Sequence, residues 1–269
     1  MITSYHNHSH WSDGRNSIRE MALAARDAGI TEFGISDHLV LVPKPFWESR
    51  FWSMPYDLFE SYVRAAAAVR DELSDGNFRV RIGVEADYFP STVELLEKMV
   101  TRYDLDYVIG AAHMVDAFSV DGRLHWWQML SQEEQTRMWK RYLEKVRGIA
   151  GSGVFSFLAH IDLPKKYGIF MPESLCDDME ETLQALKANG KPIEVNTAGV
   201  DKPCGEWYPG PELLRRAVEL DIPLMVNADS HEVESVSRYF GEARRKLAEL
   251  GVTRVCSFEK RQLKMIELD

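Results

Sequence analysis

Histidine and acidic side chains recur in small groups along this chain of 269 residues, and each group directly follows an apolar run. Imidazole nitrogens and carboxylate oxygens are typical ligands of divalent metal ions. In chain order the groups are His6-Asn7-His8 with Asp13, Asp37-His38, Glu85 with Asp87, His113, His160 with Asp162, and Asp229 with His231. Because one ion takes only three or four protein ligands, this set is large enough for a site that holds several ions.

Two of the groups contain side chains that are two residues apart. His6 and His8 form one such pair, and Asp229 and His231 form the other. On a β-strand this spacing places both side chains on the same face, so each pair could bind one ion together. His10 shares the spacing, but we expect it to lie in the loop after the strand and not to be a ligand.

One carboxylate is suited to lie between two ions. Glu85 ends the apolar run Ile82-Gly83-Val84, where a buried carboxylate without a partner would be costly. Its two oxygens can contact two cations, so we predict a bridging role for it. In Asp37-His38 the two side chains point in opposite directions, and we predict His38 as a ligand and Asp37 as its support.

His113 and His160 each follow a longer apolar run on successive predicted strands. A single histidine in such a place is typical of a buried core group. Two of them beside the carboxylates favour metal ligation instead. Asp13, in the turn-like tripeptide Ser12-Asp13-Gly14, is either a loop carboxylate or a further ligand.

Apolar, strand-like runs alternate with amphipathic helical stretches along most of the chain. The predicted strands are 1–6, 31–37, 80–86, 106–112, 154–160, 192–197, 223–229 and 253–258. The predicted helices are 17–28, 55–74, 91–102, 132–150, 173–189, 211–220 and 236–250. This alternation indicates an α/β fold with a parallel sheet, and we expect a single domain over 1–269. Closing the sheet into a barrel would bring the carboxyl ends of all strands, and hence all the candidate ligands, to one face.

Two connections, 39–57 and 114–131, are longer than a simple link between strand and helix, and both follow strands with candidate ligands. We therefore expect them to overhang the site. Their aromatic residues are Phe46, Trp47, Phe51, Trp52 and Tyr56 in the first, and Trp126 and Trp127 beside His125 in the second. These rings either form a wall for an organic substrate group or only pack the loops onto the barrel.

Composition and charge exclude some classes of protein. The chain is 45% hydrophobic and 28% charged, as in an ordinary globular protein, and it has no apolar stretch long enough for a membrane span. Its first residues lack a signal peptide, and Cys176, Cys204 and Cys256 form no disulfide pattern, so we expect a cytoplasmic protein. The net charge of −10 argues against long nucleic acid, although bound metal could still attract a small anion.

The groups also resemble the motif series of a known family. The motifs are His6-x-His8, Ser12-Asp13-Gly14, Ser36-Asp37-His38, Gly83-x-Glu85, Gly110-x-x-His113, Ala159-His160-x-Asp162 and Asn227-x-Asp229-x-His231. In order and spacing they are similar to those of the PHP (polymerase and histidinol phosphatase) superfamily. The resemblance implies a distorted (β/α)7 TIM-like barrel that hydrolyses phosphate esters at a site of three divalent ions. The segment 193–199, with Tyr208-Pro209 after it, is most similar to the histidinol-phosphate phosphatases.

The resemblance also implies a division of ligands among the three ions. The first ion would be bound by His6, His8, Glu85 and Asp229. The second would share Glu85 and add His113 and His160. The third would take Asp13, His38 and His231. Nitrogen and oxygen ligands without sulfur suit zinc, manganese or iron. The implied catalytic residues are Glu85, Asp229, His231 and Asp13.

Under this interpretation, the ions and their carboxylate ligands leave a net charge of about +3, which would attract a phosphate dianion. A metal-bound hydroxide would then attack phosphorus. We expect further phosphate contacts from rim cations, namely Lys165, Lys166, Lys202 and Arg15. Candidates for the ammonium and imidazole of histidinol phosphate are Asp162, Glu206, Trp207 and the aromatic residues of 46–56.

Three alternative functions remain open at this stage. The same chemistry could act on another small phosphate ester or a nucleotide. A metal-dependent amidohydrolase barrel also begins with an H-x-H motif, although it has no counterpart of Glu85 followed by His113. A non-catalytic metal-binding protein is the third alternative, and the intact ligand set argues against it.

Overall fold

Seven short parallel strands follow one another in space in the order in which they occur in the chain. The computed structural model describes residues 1–43 and 52–268. The strands of the sheet are β1 (Thr3–Ser4), β2 (Glu32–Ile35), β3 (Arg79–Asp87), β4 (Tyr107–Ala111), β5 (Phe157–Leu158), β6 (Ile193–Asn196) and β7 (Leu224–Asn227). Just beyond β1 and β7, the His8 amide donates to Ser230 O at 2.7 Å and the Ser230 amide donates to His6 O at 3.3 Å. The ends of the sheet therefore meet, and the predicted distorted (β/α)7 barrel is confirmed.

Helices follow the strands and cover the outside of the barrel. They are α1 (Ile18–Asp27), α2 (Phe59–Leu73), α3 (Val93–Val100), α4 (Leu124–Gln128), α5 (Gln132–Gly151), α6 (Cys176–Ala188), α7 (Pro211–Glu219) and α8 (Phe240–Glu249). A capping box begins α1, in which the Ser17 hydroxyl accepts from the Glu20 amide and the Glu20 side chain accepts from the Ser17 amide. Among residues 1–43 and 52–268, no helix is both long and apolar enough to cross a membrane.

Large side chains fill the inside of the barrel at the amino ends of the strands. The Tyr107 hydroxyl donates to the carbonyl oxygens of Tyr5 at 2.6 Å and Ile35 at 3.0 Å. Its ring lies against Gly34 and Gly83, where an added Cβ would fall 2.3 Å from Tyr107 atoms. These two glycines leave room for the tyrosine, which makes this end of the barrel a packed core. The opposite end is left for polar side chains.

The last predicted strand, 253–258, lies outside the parallel sheet. It forms Arg254–Glu259, which pairs antiparallel with Gln262–Glu267 in a hairpin that the sequence did not predict. Phe258 and Cys256 of this hairpin are buried in the same cluster as Tyr5 and Tyr107. The hairpin therefore covers the amino end of the barrel instead of extending the sheet.

A buried arginine joins this hairpin to the barrel. Arg81 lies in β3, and its Nη2 contacts Glu32 Oε1 at 3.0 Å, while its Nη1 lies 3.2 Å from Glu259 Oε1 and 3.6 Å from Asp106 Oδ1. The Tyr5 hydroxyl also donates to Glu32. One guanidinium thus compensates the charge of several acidic side chains at the closed end of the barrel.

Several strands are shorter than predicted, because side chains replace the backbone ladder at their ends. Asn227 Oδ1 accepts the Tyr5 amide at 2.8 Å, and Ser156 Oγ accepts the Val108 amide at 3.1 Å. The connection 114–131 is also more ordered than a simple loop. It contains a hairpin of Met114–Val115 with Phe118–Ser119, followed by α4. The single domain over 1–269 stays a prediction.

Candidate metal centre

All nine predicted ligands lie together at the carboxyl end of the barrel. They come from the ends of β1, β2, β3, β4, β5 and β7 and from the loop after β1. The nine residues form four overlapping groups, within each of which the potential ligand atoms lie within 4.8 Å of one another. The groups are His6, His8 and Glu85; His6, His160 and Asp229; His38, Glu85 and His113; and His8, Asp13, His38 and His231. The last group contains the whole set predicted for the third ion, with His8 added.

Glu85 is at the centre of these groups. Its Oε2 lies 3.0 Å from His6 Nε2 and 2.9 Å from His38 Nδ1, and its Oε1 lies 3.1 Å from His160 Nε2. His8 Nε2 lies 3.5 Å from Glu85 Oε2, and His113 Nε2 lies 3.5 Å from Glu85 Oε1. The side chain of Glu85 is completely buried. A carboxylate surrounded in this way can use its two oxygens for two different cations.

Several buried nitrogen and oxygen atoms at the centre make no hydrogen bond. Among the described residues, His6 Nε2, His8 Nε2, His38 Nδ1 and Glu85 Oε2 are inaccessible to solvent, and their short contacts with one another lack hydrogen-bond geometry. Buried polar atoms without partners are costly and uncommon in folded proteins. Their convergence, with nitrogen and oxygen donors and no sulfur, fits divalent metal ions such as zinc.

The protonation states of His8, Glu85 and Asp229 suit metal ligation, whereas neighbouring carboxylates outweigh burial and raise the pKa values of His6, His113 and His231. Burial, together with the neighbouring imidazoles of His38 and His231, lowers the pKa of His8 to about 3. Burial alone would raise the pKa values of Glu85 and Asp229, but the surrounding imidazoles outweigh burial and hold both pKa values well below the usual range. A neutral imidazole and ionised carboxylates are the forms that coordinate metal.

Other carboxylates hold the imidazoles in position. The two carboxylate oxygens of Glu194 in β6, Oε2 and Oε1, lie 3.0 and 3.1 Å from His6 Nδ1. Oε1 also accepts a hydrogen bond from the His160 amide at 3.1 Å. Asp87 in β3 contacts His113 Nδ1 at 2.6 Å. Such contacts fix the ring orientation of a histidine and leave its other nitrogen for metal.

The sequence indicates Asp87 as a potential metal ligand, not as a partner of His113, and it does not identify Glu194. The available signals were a charged residue inside the buried run Ile193-Glu194-Val195 and the two-residue spacing between Glu85 and Asp87. Asp37 was predicted to support His38, but the hydrogen bonds of its carboxylate go to a different segment. Its oxygens accept hydrogen bonds from the amides and hydroxyls of Ser9 and Ser12, in the loop that leads to Asp13.

Replacing Glu194 with glutamine is expected to weaken metal binding by about ten- to a hundredfold, because His6 loses the carboxylate that orients it. The measurement is catalytic activity as a function of free metal concentration. Glu180→Gln, which removes an exposed carboxylate paired with Arg216, is the control and should leave the metal dependence unchanged. Equal metal dependence in wild type and Glu194→Gln would contradict the orienting role.

The turn that carries Asp229 has an uncommon backbone conformation. Asp229 has φ of 48°, in the left-handed region, and Arg238 Nη2 donates to the carbonyl oxygens of both Ala228 and Asp229 at 2.9 Å. Asn196 Nδ2 donates to Asp229 Oδ2 at 3.1 Å. Arg238 and Asn196 therefore stabilise the conformation that turns Asp229 toward His6 and His8. Neither residue was predicted for the site.

A cavity of about 760 Å³ opens above the cluster. Three of the four cations predicted to contact phosphate line it, namely Arg15, Lys166 and Lys202. Arg123 and Arg238, which were not predicted, line it as well.

The fourth predicted cation, Lys165, is buried away from the cavity lining. Its Nζ contacts Asp162 Oδ2 and Glu206 Oε2, each at 2.9 Å, and donates to Trp207 O at 2.7 Å. These contacts also engage Asp162 and Glu206, two of the candidates for receiving the cationic end of histidinol phosphate. The cavity lining does not include Lys165, Asp162, Glu206 or Trp207.

Of the predicted aromatic residues, Trp52 and Trp126 line the cavity. The ring of Trp52 packs edge-on against His38 and His113, at centroid distances of 4.8 and 5.4 Å. Trp127 is instead fully buried, and its indole donates to Val120 O at 2.8 Å, so it packs the loop. Phe46, Trp47 and Phe51 lie outside the described residues. His10 is exposed and belongs to none of the groups found in the described part of the chain.

The chain is similar to several known proteins. The family model described as the PHP domain matches residues 4–198. A protein of Deinococcus radiodurans described as a probable histidinol-phosphatase is 33% identical over 248 residues, which cover 91% of each chain. A protein of Schizosaccharomyces pombe with the same description is 25% identical, over 97% of this chain and 90% of its own.

Among solved structures, the histidinol phosphate phosphatase of Lactococcus lactis has a TM-score of 0.80 at 19% identity, over 98% of each chain. That structure is a complex with Zn, L-histidinol and phosphate. The likeness shows that the two chains share a fold.

Proposed function

Because the chain belongs to the PHP domain family, we propose that it is a metal-dependent phosphatase whose substrate is L-histidinol phosphate. It is a hydrolase of phosphate monoesters. The observation that carries the proposal is the convergence of nine ligand-type side chains around Glu85, beneath a cavity lined by cations. The relative that is 33% identical over nine-tenths of both chains, described as a probable histidinol-phosphatase, supports the choice of substrate.

We propose three divalent ions at this centre, with zinc, manganese or iron as candidates. Glu85 would contribute to more than one of them, with His6, His8 and Asp229 on one side and His113 and His160 on another. Asp13, His38 and His231 would hold the third. When bound, the ions would supply the positive charge that stabilises the phosphate and the acidity that activates water.

The residues of the chain divide into those that form the base of the site and those that face the substrate. Glu85 and His6 are completely buried, whereas Asp13 and His231 are partly exposed to the cavity. We propose Asp13, His231, Glu85 and Asp229 as the catalytic residues. Arg15, Lys166 and Lys202 would orient the phosphate oxygens from the rim. Lys165 is not part of this set, because it is buried against Asp162 and Glu206 and does not line the cavity. The cytoplasmic location stays a prediction.

The substrate assignment is tested by steady-state kinetics of the purified enzyme loaded with zinc or manganese. We expect kcat/KM for L-histidinol phosphate to exceed that for glycerol phosphate, adenosine monophosphate and p-nitrophenyl phosphate by about a hundredfold or more. A ratio near one would reject the substrate while leaving the phosphatase activity intact. No turnover of any phosphate ester would reject the phosphatase itself.

Removing the metal should abolish the activity, because the described ligand set has no other evident means of activating water. After dialysis against a chelator, we expect kcat/KM below about one hundredth of its starting value and recovery when divalent metal is added back. The metal content, measured by mass spectrometry, should approach about three ions per chain in the active enzyme. Full activity in a protein shown to be free of metal would contradict the proposal.

A further inference from the structure

A half-buried ion pair lies in the cavity beside the candidate metal centre. Lys166 Nζ contacts Asp121 Oδ2 at 3.2 Å and donates to Asp121 O at 2.9 Å. The two side chains are 21% and 27% exposed, and both line the cavity. Ser119 Oγ donates to the other carboxylate oxygen at 3.1 Å. Because an ionised carboxylate can accept about four hydrogen bonds, Asp121 keeps acceptor capacity for a ligand.

The Asp121–Lys166 pair lies in the same cavity as the candidate metal centre. The residue before Asp121, Val120, donates its amide to His113 O at 2.9 Å. The cavity that Asp121 and Lys166 line is also lined by His113, Glu85 and Asp229. Lys166 outweighs burial and holds the pKa of Asp121 below its usual range, so this carboxylate is ionised.

Among the described residues, Glu232 is the other carboxylate that lines the cavity outside the metal cluster. It pairs with Arg15, and the side chain of Glu232 is 37% exposed, whereas that of Arg15 is 78% exposed. Water screens charges at such an open position, so a pair there contributes little to recognition. Asp121 and Lys166 are the better shielded pair, and their charges act more strongly on a bound molecule.

The substrate class of the proposed function carries a matching pair of charges. In the phosphate ester of a 1,2-amino alcohol, two carbon atoms separate the ester oxygen from the ammonium group. When the phosphate is held at the ions, the ammonium must therefore lie within a few ångströms of the cluster. A carboxylate that receives it has to be both close to the cluster and directed into the cavity, as Asp121 is.

We propose that the Asp121–Lys166 pair selects phosphate esters with a neighbouring ammonium group. Asp121 receives the ammonium, and Lys166 remains beside the phosphate. This inference rests on the proposed function and narrows its substrate class. Asp121 is a specificity-determining residue in this scheme, and the ions still carry the hydrolysis of esters that lack an amine.

The experiment compares wild type and D121N, loaded with the same divalent metal, on matched substrates. L-Histidinol phosphate and 2-aminoethyl phosphate carry the ammonium, whereas ethyl phosphate and p-nitrophenyl phosphate do not. We expect wild type to prefer 2-aminoethyl over ethyl phosphate. D121N should lose about ten- to a hundredfold in kcat/KM on the aminated esters and change by less than about threefold on the others. D121E, which restores the charge, should recover part of the preference.

E232Q is the matched control, because it removes the other cavity-lining carboxylate that lies outside the metal cluster and should keep the preference for the amine. An equal loss by D121N on both kinds of ester, or no loss on either, overturns the inference. The inference is also overturned if wild type hydrolyses 2-aminoethyl phosphate and ethyl phosphate equally well, which can be measured without any variant. In these cases the phosphatase function stands, whereas a wild type inactive on all four esters would reject the function itself.

Discussion

Replacing Glu85 with glutamine is expected to lower kcat/KM by at least about a thousandfold, with kcat carrying most of the loss. Glutamine keeps the size of the side chain but removes the negative charge that lies within 3.5 Å of five histidines. The variant also exchanges one carboxylate oxygen for an amide nitrogen, which cannot bind a cation. Both ions that we propose to share Glu85 should therefore bind more weakly.

Two measurements separate this effect from a general loss of structure. The metal content per chain should fall in Glu85→Gln, while far-ultraviolet circular dichroism stays close to that of wild type. Glu94→Gln, which changes a carboxylate in the first turn of α3, serves as the control and should keep full metal content and activity. A Glu85→Gln enzyme with wild-type metal content and activity would remove the central role of this residue.

The largest expected effect on stability comes from the opposite end of the barrel. Replacing Arg81 with methionine should lower the free energy of unfolding by about 3–5 kcal/mol, because Glu32 and Asp106 would lose their buried cationic partner. Methionine retains much of the apolar stem, so the change mainly removes the charge. Urea unfolding followed by tryptophan fluorescence measures the difference.

Arg79 provides a matched control on the same strand. Its Nη1 lies 3.6 Å from the same Glu32 oxygen, but its side chain is 53% exposed, compared with 9% for Arg81. Arg79→Met should cost less than about 1 kcal/mol. Folded Arg81→Met should keep nearly wild-type kcat/KM, since the arginine is remote from the metal centre. Similar stabilities of the two variants would show that burial does not strengthen the Arg81 contacts.

The sequence predicted the barrel and the ligand cluster because both depend on local, periodic signals. Each apolar run defines a strand, and a parallel barrel brings all strand ends to one face. His113 and His160 could therefore be placed together although each is unremarkable alone. Their gathering around Glu85 agrees with the prediction, and their role as metal ligands stays a proposal.

Contacts between distant segments were harder to predict. Lys165 and Lys166 are adjacent in a short helical turn, Leu163–Tyr167, yet one is buried against Asp162 and the other lines the cavity. The sequence alone does not show in which direction each lysine points. The C-terminal hairpin was missed for a similar reason, since the residues of one strand do not identify its partner strand.

The hydrogen bonds that join His8 and Ser230 close the barrel with residues from nearly opposite ends of the chain. The ligand-type atoms of the centre accordingly come from segments far apart in the chain, such as those that contain His6 and His231. A nascent chain lacks the complete set until residue 231 has left the exit tunnel. Binding of the proposed ions by the complete ligand set would therefore follow synthesis of all the segments from His6 to His231.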